Sequence, residues 1–125
     1  MRYLLDTHVL IWWFSNPDLL HQNTRKIISD IKNIVYVSSV STWEIVIKVS
    51  LGKLKMPNKI FSLIKEENFF ELPVLIAHTM ELANLHSHHA DPFDRLLIAQ
   101  AKSENLTLIT KDKDVKKYDI SCLEA

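Results

Sequence analysis

The sequence predicts an α/β protein built on a mainly parallel sheet. Three observations carry this expectation. Short apolar runs rich in β-branched and aromatic residues stand at 3–5, 34–37, 69–72 and 106–109. Longer segments of helical periodicity separate them. Strands that alternate with helices are joined by crossovers, and crossovers make neighbouring strands parallel. No linker, repeat or low-complexity tract interrupts the chain, so one domain over residues 1–125 is expected.

The elements follow in order. Residues 3–5 read as a buried strand, 8–14 as a helix, and Asn16-Pro17-Asp18 as a turn. Ile27, Ile28 and Ile31 fall at helical spacing and predict an amphipathic helix over 24–31. Residues 34–37 are a second strand. A helix is expected over 41–51 despite its Val and Ile content, with Gly52 as the residue just past its end. Lys55-Met56-Pro57 is a break, and 58–66 a further helix. Pro73 stops the third strand, 69–72. A helix over 78–85 leads to a polar loop over 86–92. The helix over 93–103 buries a face built from Leu96, Leu97, Ala99, Ala101 and the pair Ile98/Lys102. Residues 106–109 form a fourth strand, and 118–123 an edge strand.

Composition narrows the function. The 125 residues are 47% hydrophobic and 24% charged, a globular balance. Fifteen Lys and Arg face fifteen Asp and Glu, so no broad basic surface is available to hold nucleic acid. Any such contact must be local, short-lived, or helped by a bound cation. Gly52 is the only glycine, which excludes the P-loop and the dinucleotide fingerprint. Cys122 is the only cysteine, so no intramolecular disulfide forms, and a reducing, cytoplasmic setting is expected. The apolar stretch after Arg2 is interrupted by Asp6 and His8 and lacks a cleavage site after Phe14. It reads as structure rather than a targeting signal, is too short to span a bilayer, and implies no membrane partner.

Four acids fall where a parallel sheet gathers ligands, beyond the carboxyl ends of its strands. Asp6 follows the first strand, and Asp112 follows the fourth through Thr110-Lys111. Glu44 is expected in the first turn of the helix after the second strand, and Asp94 in the first turn of the 93–103 helix. Each also has a structural reading. Ser41 and Glu44 fit a capping box, and Glu44 can pair with Lys48 one turn on. Asp91 with Pro92 reads as a helix cap. Asp6 reads as a cap, and Asp112 as a turn residue. Taken together, four carboxylates on one edge would raise one another's pKa. A divalent cation relieves that repulsion. Mg²⁺ or Mn²⁺ suits carboxylate and water oxygens, and such ions activate water for phosphodiester hydrolysis.

The stretches LLDTHVLIWWF, SSVSTWEIVIKVSLGKL, DPFDRLLIAQA and LTLITKD occur in an order and at spacings that resemble the PIN-domain ribonucleases. Within them the likeness is to the VapC-type toxins of bacterial toxin–antitoxin pairs, and it runs from about residue 3 to 120. The resemblance implies a three-layer α/β/α sandwich and a Mg²⁺- or Mn²⁺-dependent endoribonuclease. It also implies an RNA substrate, a homodimer, and inhibition by a small cognate antitoxin. Carried across by position, Asp6, Glu44, Asp94 and Asp112 match the metal-binding catalytic acids. Thr7, Ser41 and Thr110 match the small hydroxyl residues beside them, able to hydrogen-bond a carboxylate or a water on the metal.

Other residues divide between two uses. Asp94 is preferred over Asp91 as ligand, and Asp112 over Asp114. Arg95 fits a phosphate contact or a structural ion pair, with Lys48 and Lys111 weaker candidates of the same kind. Trp12, Trp13 and Phe14 fit base stacking less well than a core or interface. His86, His88 and His89 lack the spacing of a zinc site, and His8 reads as a helix-start residue. A phosphatase of the haloacid dehalogenase type would need an acid where His8 stands. A response-regulator receiver would need a phosphoacceptor Asp where Pro73 ends the third strand. A non-catalytic or differently regulated PIN-like RNA-binding module is the remaining alternative, against which the presence of all four acids argues.

Overall fold

Beyond the exposed Arg2, strand β1 (Arg2–Leu5) is apolar on both sides because both of its faces are covered. It lies at the centre of a five-stranded sheet. The computed structural model of the chain describes residues 1–56, 59–85 and 91–125. The other strands are β2 (Ile34–Ser38), β3 (Phe70–Leu72), β4 (Thr107–Thr110) and β5 (Cys122–Glu124). Their order is β3-β2-β1-β4-β5, and every neighbouring pair is parallel. The register aligns Leu4 with Tyr36 on one side and with Leu108 on the other. The tail strand β5 forms one edge, as expected, although it begins four residues later than the sequence suggested.

Side chains alternate across this sheet with period two. Tyr3, Leu5, Val35, Val37 and Ile109 enter one core. There they meet Val9 and Leu10 of α1 (Thr7–Ser15), Ile28 of α2 (Gln22–Ser29), Ile45 of α3 (Ser39–Ser50) and Ile60 of α4 (Ile60–Glu66). Leu4, Tyr36 and Leu108 enter a second core with Leu97, Ile98 and Ala101 of α6 (Pro92–Glu104). Helix α5 (Ile76–Glu81) packs on α6. The result is the expected α/β/α sandwich, with a sheet that is wholly parallel among the described residues.

Several boundaries moved for identifiable reasons. The second helix runs from Gln22 to Ser29, not over 24–31, and Ile31 lies beyond it, 92% exposed. Three isoleucines at helical spacing cannot show where the backbone leaves the helix. Helix α3 begins at Ser39 because Ser38 caps it, accepting a hydrogen bond from the Val40 N–H at 3.0 Å. Ser41 is therefore not the cap, and Glu44 lies in the second turn rather than at the third position of a capping box. The expected 78–85 helix starts at Ile76 and tightens into a 3-10 turn at Leu82–Asn84. The expected loop over 86–92 lies mostly outside the described residues, as does the start of the 58–66 helix.

The end of α3 is closed by Gly52, as expected. Its N–H donates to the Val49 carbonyl at 3.0 Å, and the Lys53 N–H donates to the Lys48 carbonyl at 2.9 Å. This is the Schellman pattern, and it needs the positive φ of 72° that Gly52 adopts. A Cβ there would meet nothing within 4 Å, so backbone conformation, not space, selects glycine. Gly52→Ala should therefore cost about 1 kcal/mol, read as a lower thermal midpoint with an unchanged fold.

A buried polar chain fastens α5 and α6 to the end of β2. The Ser38 hydroxyl donates to Gln100 Oε1 at 2.5 Å, and Gln100 Nε2 donates to the Pro73 carbonyl at 3.3 Å. The Leu75 N–H donates to Nδ1 of the fully buried His78 at 2.9 Å, while His78 Nε2 meets Glu104 Oε1 at 2.9 Å. Gln100→Leu keeps the volume but strands the Ser38 hydroxyl in the core. The expected loss is about 1–3 kcal/mol in denaturant unfolding, with Ser38→Ala in the same background recovering part of it.

Candidate active site

The parallel register delivers the strand ends to one edge, and Asp6 is the first residue past β1. Its N–H still belongs to the sheet, donating to the Ile109 carbonyl at 3.0 Å. Its carboxylate caps α1, accepting from the His8 N–H at 3.3 Å through Oδ1. Oδ2 accepts the Thr110 hydroxyl at 2.5 Å. Thr110 Oγ1 in turn accepts the Asp112 N–H at 3.0 Å, so one hydroxyl at the end of β4 joins two of the acids. Burial pushes the Asp6 carboxyl above its ordinary range. The Thr110 and His8 hydrogen bonds oppose that shift, and the charge of Glu44 adds to it.

Asp6, Asp94 and Asp112 line a single cleft of about 350 Å³, with His8, Trp12 and Lys111 completing its wall. Asp94 reaches it from the first turn of α6, whose start is fixed by Asp91. Asp91 is exposed and accepts from the Phe93 N–H at 2.8 Å and the Asp94 N–H at 3.4 Å. Asp112 caps the 3-10 turn Lys113–Lys117 by accepting from the Asp114 N–H at 2.9 Å. Asp114 itself is exposed and pairs with Lys117 at 3.1 Å, outside the cleft lining.

Glu44 is buried on α3 and does not line this cleft, though its charge reaches Asp6. Oε2 receives the Lys48 ammonium at 2.6 Å, and Oε1 is buried with no hydrogen-bond partner. Beneath the acids the Thr7 hydroxyl donates to Ser41 Oγ at 2.9 Å, tying α1 to α3, with both residues buried. The two hydroxyls thus bond each other, and of the three only Thr110 bonds a carboxylate. Arg95 stands half-buried in the first turn of α6.

Trp12 and Lys111 matter more here than their sequence reading allowed. The Lys111 ammonium lies 5.5 Å from the Trp12 ring centroid, and the exposed His8 ring stands 5.9 Å from the same ring. An aromatic three residues short of the end of α1 gives no sign in sequence that it borders an acidic cleft. Trp13 and Phe14, by contrast, pack on Phe69 with ring separations of 6.3 Å, in the core as expected. The histidine cluster at 86, 88 and 89 lies outside the described residues.

A parallel α/β/α sandwich with acids collected at the carboxyl edge of its central strands defines a class of ligand-binding α/β protein. The comparisons make the class specific. The PIN domain profile matches residues 3–121, and the chain belongs to the PIN domain family. It is similar to Ribonuclease VapC22 of Mycobacterium tuberculosis, 24% identical over 120 residues, covering 92% of this chain and 90% of that protein. Its fold is shared with the crystal structure of VapBC2 from Rickettsia felis bound to a promoter DNA fragment. That match has a TM-score of 0.75 and 18% identity, and covers 98% of each chain. A member of the VapBC family of toxin-antitoxin systems, VapBC-5 of Mycobacterium tuberculosis, matches with a TM-score of 0.62 and 19% identity, over 99% of this chain and 98% of that one.

The raised pKa of Asp6 gives a signed pH dependence in the metal-free protein. Folding favours its protonated form, so this stabilisation is complete below the unfolded pKa of about 3.9 and is lost as pH rises through the higher folded value. In chelator at pH 7, Asp6→Asn should melt a few degrees above the wild type. The gap should close as the melts are repeated at pH values below the unfolded pKa, where Asp6 is protonated in both states.

Proposed function

We propose that the chain is a metal-dependent endoribonuclease and the toxin of a toxin–antitoxin pair. One observation carries the metal requirement: Glu44 Oε1 is buried without a partner, beside an edge where Asp6, Asp94 and Asp112 gather. A buried, half-satisfied carboxylate is costly unless something else completes it. All four donors are hard carboxylate oxygens, the set that Mg²⁺ and Mn²⁺ prefer. Among the described residues no three His, Cys, Asp or Glu side chains stand close enough to hold one ion together. Mg²⁺ does not demand that, because it is commonly held by one or two carboxylates and keeps several waters.

Asp6, Glu44, Asp94 and Asp112 would hold the cation, one or two of them directly and the others through its waters. Bound there, it would acidify a water and neutralise charge on the scissile phosphate. Thr110 fixes the Asp6 carboxylate and the Asp112 backbone, so the two move as one. Lys111 offers a cation to a phosphate, and the Trp12 ring a face to a base, at the mouth of an otherwise acidic cleft. This local arrangement answers the absence of a basic surface.

Similarity to a ribonuclease and to a member of a toxin–antitoxin family supports an RNA substrate and a small antitoxin partner. A homodimer is supported by apolar side chains left outside both cores. These are not on α1, whose aromatics are half-buried, but on α3 and α5: Trp43, Val46, Ile76 and Met80 are exposed. A cytoplasmic setting fits the lone Cys122. No helix among the described residues is long and apolar enough to cross a membrane.

The test is cleavage of a mixed RNA pool in Mg²⁺ or Mn²⁺, with and without chelator. Wild type should cut only with metal, and Asp6→Asn should lose about two orders of magnitude or more in rate, as removal of a group acting in the transition state does. Cleavage that survives both chelator and Asp6→Asn removes the reading. RNA binding without metal-dependent cleavage by the wild type would favour the non-catalytic module instead.

A further inference from the structure

Helix α3 carries Glu44 and Lys48 one turn apart, and Glu44 is more enclosed than the carboxylates of the Lys102–Glu81 and Lys117–Asp114 pairs. The Lys117–Asp114 pair has side chains 59% and 57% exposed, as expected for surface pairs of little consequence. Glu44 is 4% exposed, while Lys48 is 36% exposed, so a nearly enclosed carboxylate is met by a lysine that reaches it from solvent. The Nζ to Oε2 distance is 2.6 Å, and Oε1 beside it has no partner.

The ammonium also answers to more than Glu44. Asp91 and Asp94, at the start of α6, both act on it electrostatically. Glu44 holds Lys48 above its ordinary pKa, chiefly through the hydrogen bond, so Lys48 is a fixed positive charge near neutral pH. One ammonium therefore stands among acids from two helices, at the carboxylate whose second oxygen is unsatisfied. A monovalent cation on a flexible stem does what a divalent one would do there, but it reaches only one of the two oxygens.

We propose that Lys48 is the resident counter-cation of the acidic edge, and that a divalent cation completing Oε1 of Glu44 drives the ammonium off Oε2 by repulsion. The inference rests on the metal-binding reading above and adds its regulation. Lys48 sets the metal concentration at which the site fills. Its exposed stem lets the displaced ammonium return to water at small cost, so exchange requires no movement of α3. The same contact keeps Glu44 from meeting Asp6 as an uncompensated like charge in the metal-free protein.

The experiment is calorimetric titration of MnCl₂ into wild type, Lys48→Met, Lys48→Arg, Glu44→Gln and Lys32→Met. Lys48→Met should bind Mn²⁺ about tenfold more tightly than wild type, within the usual range of coupling between two ligands. Lys48→Arg, which keeps the charge, should stay near wild type. Lys32, just before β2 at the other end of the sheet, removes the same net charge, and its variant should bind as wild type does. In ¹⁵N spectra of the wild type, the Lys48 ammonium resonance should shift in step with Mg²⁺ occupancy. This readout stands even if Lys48→Met does not fold.

Several results overturn the proposal. They are Lys48→Met binding no tighter than wild type, Lys32→Met tightening Mn²⁺ equally, or a Lys48 resonance that stays fixed in saturating Mg²⁺. If wild type binds Mn²⁺ and Glu44→Gln weakens it, any of these removes the role of Lys48 and leaves the metal site standing. If wild type binds no Mn²⁺ at all, both fall together.

Discussion

The hydrogen bond from Thr110 to Asp6 is the interaction on which the site depends. It joins the ends of β1 and β4, neighbours only because the chain crosses over nearly its whole length between them. Asp6 is at once the last sheet-bonded N–H, the cap of α1 and a wall of the cleft. Those three duties fix its backbone and both carboxylate oxygens, so it cannot be moved without disturbing the junction. Thr110 carries the constraint onward by accepting the Asp112 N–H. A site assembled this way is rigid because the sheet is rigid, and its acids need no separate scaffold.

The sheet could be read from sequence because its physics is local. A strand buried on both faces must be apolar at successive positions, and the runs at 3–5, 34–37 and 106–109 say so directly. Helix termini were less legible, since caps depend on which of several adjacent hydroxyls turns inward. SSVS offers Ser38, Ser39 and Ser41, and the chain uses the first as cap and buries the third against Thr7. Choosing Ser41 shifted Glu44 into the wrong turn. It still left Glu44 on the inward face, because the helix period survives a displaced start.

The acids themselves were visible, but their different states were not. Asp6 is buried and hydrogen-bonded twice, Asp94 and Asp112 border the cleft, and Glu44 lies behind with a lysine. Nothing in spacing separates these states, because each depends on residues far along the chain. The one buried polar group that sequence could have flagged is Gln100. It interrupts the apolar run LLIAQA on α6, and an amide in that position must find partners. It finds them in Ser38 and Pro73, which hold α6 and thereby Asp94 at its other end.

Charge balance takes on a different meaning once located. Equal numbers of acids and bases argued against a nucleic-acid surface when counted over the whole chain. The cleft departs from that average: its wall holds Asp6, Asp94 and Asp112 against the single lysine Lys111. An anionic polymer entering it meets repulsion unless positive charge is added, and coulombic repulsion in a half-enclosed cleft is poorly screened. Lys48 does not line this cleft and is already committed to the Glu44 carboxylate. Neutrality over the whole chain thus coexists with a locally acidic site. On the proposed function such a site would take a cation before it could accept a phosphate, and the order of binding would follow from the fold rather than from the substrate.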